Sequence, residues 1–268
     1  MPFYGWIVVG CAFFVLFLAY GVQYSFGVFV PPMVDELGWQ RASLGGAFSV
    51  YSMVYTGFSL ISGRLTDNLG PRRVIGLGGL LLGLGIIATS QMSAQWQLYI
   101  FYGIIAALGM STAYIPCNMT VVRWFHQRRG LALGVASCGA SCGILAVPVL
   151  ASYIIVQTDW RVGLLTLGIG LFVLITITAR FMVRNPELMG LLPDGAATTT
   201  SGQTLSGAEV ADEGGGWTLP EARRTLSLWL LLLAFAVTLL TVTVPFVHVP
   251  VFARDLGLSA MGGGLAIG

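Results

Sequence analysis

Ser62-Gly-Arg-Leu-Thr-Asp67-Asn-Leu-Gly70-Pro-Arg-Arg73 is a short polar stretch between two long apolar runs, and the layout of the chain follows from it. Its three arginines and one aspartate lie where one apolar helix is expected to stop and the next to begin. Gly63 and Gly70 can adopt the backbone conformations that a short reversal needs. The stretch therefore predicts a helix hairpin whose turn lies at the surface of a membrane.

The composition is typical of a protein that crosses a membrane many times. Mean hydropathy is +0.84, and 56% of the residues are apolar while 9% are charged. Soluble domains average about 25% charged residues. All thirteen basic residues are arginine and they are dispersed among the loops, so we expect the lipid bilayer, and no nucleic acid, as a partner.

Neither the cysteines nor the titratable residues indicate a catalytic site. Cys11, Cys117, Cys138 and Cys142 lie in apolar runs without ligand-like neighbours and are predicted to pack as small residues. The predicted helices contain no His, Asp and Glu cluster and no Ser-His-acid set that the spacing favours. We therefore expect no enzyme, no cofactor and no metal site.

The apolar runs predict an all-α, polytopic membrane protein, because about 20 such residues cross the hydrocarbon core as one helix. Predicted helices 1 to 6 are residues 6–30, residues 42–62, two helices within 74–122 divided at 90–95, one helix after the basic loop 123–130, and residues 162–179. Pro31-Pro32 is expected to end helix 1. Tyr114, Pro116 and Asn118 predict an irregular turn or a packed kink in helix 4.

The chain is predicted to have three parts. They are residues 1–184, an N-terminal six-helix transmembrane half; residues 185–225, a cytoplasmic linker with a short surface helix; and residues 226–268, the start of a C-terminal transmembrane half. The linker is predicted from its Gly-, Thr- and Ala-rich composition. Its surface helix is predicted from the capping-box spacing of Thr218 and Glu221. Helix 7 is expected over about residues 226–251, followed by the start of helix 8.

An internal repeat indicates that helix 7 begins a second copy of the first half. Shifting the sequence by 219 positions aligns Pro31 with Pro250 and Leu37-Gly38 with Leu256-Gly257. This pattern fits a membrane protein built from two parallel six-helix halves. We therefore expect the complete protein to continue past Gly268, with a weaker copy of the opening stretch in its second half.

The arginines predict the orientation of the helices. Ten of the thirteen fall in loops on one side, and Arg41, Arg161 and Arg254 fall on the other. Cytoplasmic loops carry an excess of basic residues. The opening stretch, the linker and the N-terminus are therefore predicted to be cytoplasmic.

The opening stretch resembles the loop signature of the major facilitator superfamily, since Gly63-x-Leu-x-Asp67-x-x-Gly70-x-Arg-Arg73 has the order found there between the second and third membrane helices. Further segments resemble bacterial members of the monocarboxylate transporter and oxalate/formate antiporter branch. These segments are Tyr4-Gly-Trp6, Trp124-Phe-His-Gln-Arg-Arg-Gly-Leu-Ala-Leu-Gly134, Asn185-Pro-Glu187 and Leu192-Pro-Asp-Gly195.

The resemblance implies a major facilitator fold and a secondary active transporter that works by alternating access. Its implied substrate is a small organic anion such as a monocarboxylate, with a co-transported proton as one option. It also implies a protein of the bacterial inner membrane that is monomeric when complete.

The chain departs from the patterns of that superfamily at three places. Tyr24 stands where animal monocarboxylate transporters carry a Lys, residues 103–109 lack the Arg of the proton-coupled pattern, and residues 139–148 lack the Gly-Pro pair of drug antiporters. An exporter of drugs or other metabolites, and a non-transporting membrane sensor with the same fold, are the alternatives. Counterflow of labelled substrate separates a transporter from a sensor.

The resemblance also implies a conformational latch on the cytoplasmic side. Asp67 would be its acceptor, Arg72 and Arg73 its donors and Arg123 a local partner, while Gly63 and Gly70 would allow close approach. A charge-assisted hydrogen bond of this kind contributes about 1.5–3 kcal/mol, enough to change the populations of two conformations.

Five residues are candidates for substrate contact. Tyr20, Gln23 and Tyr24 share one face of helix 1 because of their spacing, and polar side chains within a membrane usually face a bundle interior or a wet cavity. Asn118 lies in helix 4, and His248 lies near the outer end of helix 7, where it can take up protons near neutral pH. Interhelical hydrogen bonding is the alternative role for these polar residues, and a satisfied interfacial histidine the alternative for His248.

Overall fold

The computed structural model describes residues 3–192, Asp194, Glu221, residues 223–238 and Thr241. These residues belong to two compact units. The first holds the described residues up to Asp194, and the second holds those from Glu221 to Thr241. Apart from a single backbone bridge between Phe125 and Asp194, the first unit consists of helices and their connections over the residues described.

Six helices of the first unit are long and apolar enough to cross a membrane. They are α1 (Tyr4–Leu37), α2 (Arg41–Leu69), α3 (Pro71–Ser90), α4 (Gln95–Trp124), α5 (Arg129–Gln157) and α6 (Trp160–Ala179). The prediction of an all-helical membrane protein with six such helices in this part of the chain is confirmed. The break between helices 3 and 4 also falls at the predicted polar patch.

The first helix continues through the two prolines that were expected to end it. Pro31 and Pro32 lie inside α1, which ends at Leu37 and is followed by Gly38 in the left-handed conformation, with φ 66°. The prediction was wrong because proline removes a backbone donor but fixes φ at about −65°, a helical value. In a membrane bundle, neighbouring helices can satisfy the backbone groups that a proline frees.

The polar stretch is helical over most of its length. Helix α2 runs to Leu69 and α3 begins at Pro71, so Gly70 alone makes the turn, with φ 81° and ψ 155°. Gly63 lies inside α2, and its predicted role in the reversal is wrong. Polar residues do not break a helix where it extends beyond the bilayer. The Thr66 hydroxyl, for example, donates a hydrogen bond to the Ser62 carbonyl one turn earlier, at 2.7 Å.

Helix α4 is built from differently wound segments. Residues Tyr99–Ala106 form a π-helical segment, and a turn at residues 111–113 precedes the last segment, Tyr114–Trp124. The irregularity predicted at Tyr114 therefore lies just before it. Pro116 explains the position, because it has no N–H to donate to the carbonyl of Thr112, four residues earlier.

Glycines allow close contacts between helix pairs. Helix α1 packs against α5, and α3 packs against α6. At Gly139 and Gly143 of α5, an added Cβ would collide with the carbonyl oxygens of Phe13 and Phe17 on α1. Small residues at such positions let two backbones approach. At Gly134, by contrast, an added Cβ would meet no atom within 4 Å.

Arg161 joins three helices at the end of the unit opposite the Gly70 turn. Its guanidinium donates to the Glu36 carboxylate of α1, with Nη2 and Oε1 3.1 Å apart. It also donates to the carbonyls of Ser90 and Met92, at 3.0 and 2.9 Å. Trp160 adds an indole hydrogen bond to Glu36. This network connects α1, α6, the end of α3 and the connection that follows it.

The chain beyond α6 returns to the connection between α4 and α5. A short 3-10 helix covers Pro186–Met189. The Asp194 N–H then donates to the Trp124 carbonyl at 3.1 Å, and its carbonyl accepts from His126 at 3.3 Å. The first residues of the predicted linker are thus held against this connection.

The second unit contains a helix, α7, over Leu226–Thr238. Its start agrees with the predicted start of helix 7, and the Trp229 indole donates to the Arg223 carbonyl at 2.9 Å. The predicted end of helix 7, the cap at Thr218 and the aligned residues Pro250 and Leu256 lie outside the described residues.

Candidate functional site

Four tyrosines from three helices form a polar cluster, which we call the tyrosine cluster: Tyr20, Tyr24, Tyr55 and Tyr114. The hydroxyl oxygens of Tyr20 on α1 and Tyr55 on α2 are 3.1 Å apart and share a hydrogen bond. The Tyr20 ring stacks on Tyr24 and meets the edge of Tyr114 on α4, with centroids 6.5 and 6.1 Å apart. Tyr20 is therefore the centre at which α1, α2 and α4 meet.

Two amide side chains near this region have unused hydrogen-bonding capacity. The Oε1 atom of Gln23 and the Oδ1 atom of Asn118 are buried without a hydrogen-bond partner. A buried polar atom without a partner costs roughly 1–3 kcal/mol. A ligand that donates a hydrogen bond, or a water that links it to the amide, would remove this cost.

Asn118 lines a cavity of about 490 Å³ between α4 and α5. Tyr114 of the tyrosine cluster lines the same cavity, together with the guanidinium-bearing residues Arg123 and Arg129. Aromatic, amide and basic groups therefore face one space. Such a set can hold a small molecule that carries both an apolar part and a negative charge.

A stack of aromatic rings extends from the tyrosine cluster into the core. The ring centroids of Tyr51 and Tyr55 are 6.5 Å apart, those of Tyr51 and Tyr102 4.7 Å, and those of Tyr102 and Phe26 4.4 Å. The ring planes are nearly parallel in all three pairs. Tyr102 belongs to the π-helical segment, and its hydroxyl is buried without a partner. Tyr51, Tyr55 and Tyr102 were not predicted as site residues from the sequence. The four-residue spacing of Tyr51 and Tyr55 was the available signal.

The structure places Tyr20 and Tyr24 in the tyrosine cluster. Asn118 is connected to this cluster because it lines the same cavity as Tyr114. Gln23 lies on α1 beside them in sequence, half-buried, with its free amide oxygen. His248, the fifth candidate, lies outside the described residues. The contribution of each to substrate contact stays a prediction.

Asp67 and Arg123 form an ion pair between the end of α2 and the end of α4. Arg123 Nη2 donates to Asp67 Oδ1 at 2.7 Å, and the two side chains are 27% and 48% exposed, respectively. Exposed ion pairs contribute about 0.2–1 kcal/mol. The exposure therefore reduces the 1.5–3 kcal/mol expected from a charge-assisted bond.

The other residues predicted for the latch take no part in the Asp67–Arg123 ion pair. Arg72 and Arg73 line a separate cavity beside α6, and no hydrogen bond from either to Asp67 occurs in the described part of the chain. An added Cβ at Gly63 would meet Ile115 at 3.6 Å, an ordinary contact. Close approach through Gly63 is therefore not required by the packing.

Cysteines and acidic residues form no candidate metal site over the residues that are described. Cys11 and Cys117 are buried, whereas Cys138 and Cys142 are exposed on α5, and all four are free thiols. The two buried cysteines pack as small residues, as predicted.

The comparison with protein families decides the classification. The family model described as Major Facilitator Superfamily matches residues 12–268. The chain belongs to the major facilitator superfamily. Together with the six apolar helices, this makes it an integral membrane protein.

Several mammalian relatives of this major facilitator chain are monocarboxylate transporters by name. Monocarboxylate transporter 13 of Rattus norvegicus is 34% identical over 162 residues, which are 60% of this chain and 38% of the relative. Monocarboxylate transporter 7 of Homo sapiens is 29% identical over 166 residues, 62% of this chain and 32% of the relative. Monocarboxylate transporter 13 of Bos taurus is 26% identical over 254 residues, 95% of this chain and 55% of the relative. The matches thus span about a third to just over half of these relatives.

Proposed function

We propose that this protein is a secondary active transporter that moves a small organic anion, such as a monocarboxylate, by alternating access. The observation that carries the proposal is the superfamily match over residues 12–268, joined to relatives named as monocarboxylate transporters. We infer transport rather than catalysis as its activity.

The chemistry of the cavity between α4 and α5 supports an organic anion as the substrate class. The hydroxyl of Tyr114, the amide N–H groups of Asn118 and the guanidinium of Arg129 line it and can donate hydrogen bonds to a carboxylate. The apolar side chains of Met119 and Leu133, in the same lining, suit a short hydrocarbon part. The other half of the site is expected from a second six-helix half, as in transporters built from two repeats.

We propose a division of the chain into three parts that fits a transporter built from two halves. Residues 1–184 form the N-terminal half, residues 185–225 a cytoplasmic linker, and residues 226–268 the start of the second half. We place the N-terminus in the cytoplasm because of the arginine asymmetry. The bacterial inner membrane is proposed as the location from the resemblance of sequence segments alone, and a monomer is proposed as the working unit.

We assign the Asp67–Arg123 pair a role as a latch between two conformations. It joins the ends of α2 and α4 at the basic face, where a movement of the second half against the first would change its surroundings. Because its contribution is about 1 kcal/mol or less, it adjusts the population of the latched state rather than fixing it. In this role the pair does not have to take up or release a proton.

Counterflow in proteoliposomes tests the function. The protein as its gene encodes it is reconstituted into vesicles loaded with unlabelled lactate, and uptake of labelled lactate, pyruvate, oxalate and a neutral sugar is followed. Transient accumulation of at least one labelled carboxylate, and none of the sugar, is the expected result. Accumulation of none of the anions contradicts anion transport, and binding without counterflow would identify a sensor.

A further inference from the structure

A second cavity, of about 950 Å³, lies between the start of α3 and the end of α6. Arg72 and Arg73 line it from the first turn of α3, and Arg180 and Arg184 line it from the end of α6 and the segment after it. We call it the arginine cavity. It is distinct from the cavity at Asn118, with which it shares no lining residue.

The positive charge of the arginine cavity is not compensated. Among the described residues, none that lines it is acidic, and none of its four arginines forms an ion pair. Two acidic residues are sequence neighbours of lining residues. Asp67, just before Asn68, is engaged by Arg123, and Glu187, just before Leu188, is exposed and does not line the cavity. Four guanidinium groups around one space raise the local concentration of anions.

Two buried polar atoms of the lining residues indicate that a hydrogen-bonding ligand fits this cavity. The Nε atom of Arg184 and the Oγ1 atom of Thr176 are buried, and neither has a hydrogen-bond partner. An unpartnered guanidinium N–H is costly to bury, more so than a neutral group. An anion with several acceptor oxygens would supply what these donors lack.

Apolar side chains lead away from the arginines along both helices. On α3, Leu77, Leu81 and Leu84 follow Arg73 at helical spacing, and on α6, Ile177 and Val173 precede Arg180 in the same way. All five are exposed, Leu77 to 55% and Ile177 to 53%. Residues spaced by three or four share a helix face. Each helix therefore presents an apolar stripe that ends at an arginine.

We propose that the arginine cavity binds the phosphate of an anionic phospholipid, whose acyl chains lie along the apolar stripes of α3 and α6. Two oxygens of a phosphate can accept the two parallel N–H donors of one planar guanidinium group. Basic pockets between membrane helices suit acidic lipid headgroups. The stripes give the acyl chains an apolar surface next to the arginines, whereas a soluble anion would use the arginines alone, and the displacement measurement below distinguishes the two. The site is independent of the proposed transport activity.

Gly76 offers a substitution that changes the charge of the cavity and leaves its walls in place. It lines the cavity, and an added Cβ would meet only the Cβ of Ala179, at 3.7 Å. Gly76→Asp places a carboxylate in the space, whereas Gly76→Asn adds the same shape without the charge. The pair separates electrostatic exclusion of a phosphate from a steric effect.

Native mass spectrometry of the purified, delipidated protein measures the binding directly. The protein is titrated with dioctanoyl phosphatidylglycerol or dioctanoyl phosphatidylcholine, and bound molecules are counted. We expect the first phosphatidylglycerol to bind about tenfold more tightly than phosphatidylcholine, as one charge-assisted contact allows. Gly76→Asp is expected to abolish this preference and Gly76→Asn to retain it.

A second pair of variants tests the arginines themselves. Arg180→Gln combined with Arg184→Gln is expected to lose the preference. Arg64→Gln combined with Arg128→Gln removes the same charge from residues that line neither cavity, and is expected to keep it.

Three results would overturn the proposal. They are equal affinity for the two lipids, retention of the preference in Gly76→Asp, and displacement of the bound phosphatidylglycerol by inorganic pyrophosphate, which would indicate a site for soluble anions. Because the measurement involves no transport, a failure here leaves the proposed function to its own test.

Discussion

Gly70 is the residue at which the backbone conformation most restricts the sequence. Its φ of 81° and ψ of 155° lie in a region that is open essentially to glycine alone. Pro71 follows it and favours an extended ψ at the preceding residue. We expect Gly70→Ala to lower the stability of the folded protein by about 1–3 kcal/mol, seen as a lower thermal midpoint in detergent.

Gly63→Ala is the matched control for that measurement. Gly63 belongs to the same signature, but it is helical, and its added Cβ would make only ordinary contacts. Its midpoint is expected to stay at or slightly above that of the wild type, since alanine favours a helix. Equal losses in both variants would show that the signature needs glycine for a reason other than the turn.

At the scale of single helices, the close packing of α1 on α5 predicts the effect of substitutions at glycine positions. At Gly139 a methyl group would collide with the Phe13 carbonyl oxygen, and backbone atoms cannot move aside as a flexible side chain can. Overpacking of this kind costs about 1–3 kcal/mol. We therefore expect Gly139→Ala to lower the thermal midpoint and the yield of monodisperse protein.

Gly134→Ala on the same helix provides the comparison. No atom lies within 4 Å of its added Cβ, so the substitution is expected to be neutral or to stabilise by up to about 1 kcal/mol through helix propensity. If the two alanine variants melt at the same temperature, the close contact between α1 and α5 is not supported.

The elements themselves were largely predictable, because the length of an apolar run is set by the thickness of the bilayer. The divisions at residues 90–95 and 123–130 followed from that rule. The ends of α1 and α2 did not follow from it. Pro31, Pro32 and the polar residues before Gly70 can all be part of a helix when their surroundings satisfy their hydrogen bonds. The π-helical winding of Tyr99–Ala106 left no pattern in the sequence that differs from an ordinary apolar helix.

The partners of the polar residues were less predictable than their positions. Spacing placed Tyr20 and Tyr24 on one face, but the contact of Tyr20 with Tyr55 depends on how α1 and α2 are rotated against each other, which no local pattern records. Arg123 was identified as a partner of Asp67 from the signature. The position of Arg72 and Arg73 beside α6 depends on the path of the chain after Ala179.

For the whole molecule, the latch that we propose at the Asp67–Arg123 pair links the structure to the proposed transport activity. We expect Asp67→Asn to lower the initial rate of counterflow by up to about fivefold, which corresponds to a pair worth about 1 kcal/mol. The abundance of the protein in the membrane should change little, because the pair is half-exposed. The measurement is counterflow normalised to the amount of reconstituted protein.

Arg123→Lys is the matched variant, since it keeps a positive charge beside Asp67 and should retain more of the rate than Asp67→Asn. A rate of Asp67→Asn equal to that of the wild type, at equal protein, would remove the latch from the mechanism. It would leave transport itself untouched.

The backbone pairing of Asp194 has a mechanical consequence. Because Asp194 is bonded to Trp124 and His126, tension along the chain that leaves at Asp194 is transmitted first to the α4–α5 connection, and only then to the last turn of α6. Trp124 is the immediate neighbour of Arg123. A pull on this segment therefore acts on the backbone directly after Arg123, one of the two residues of the ion pair.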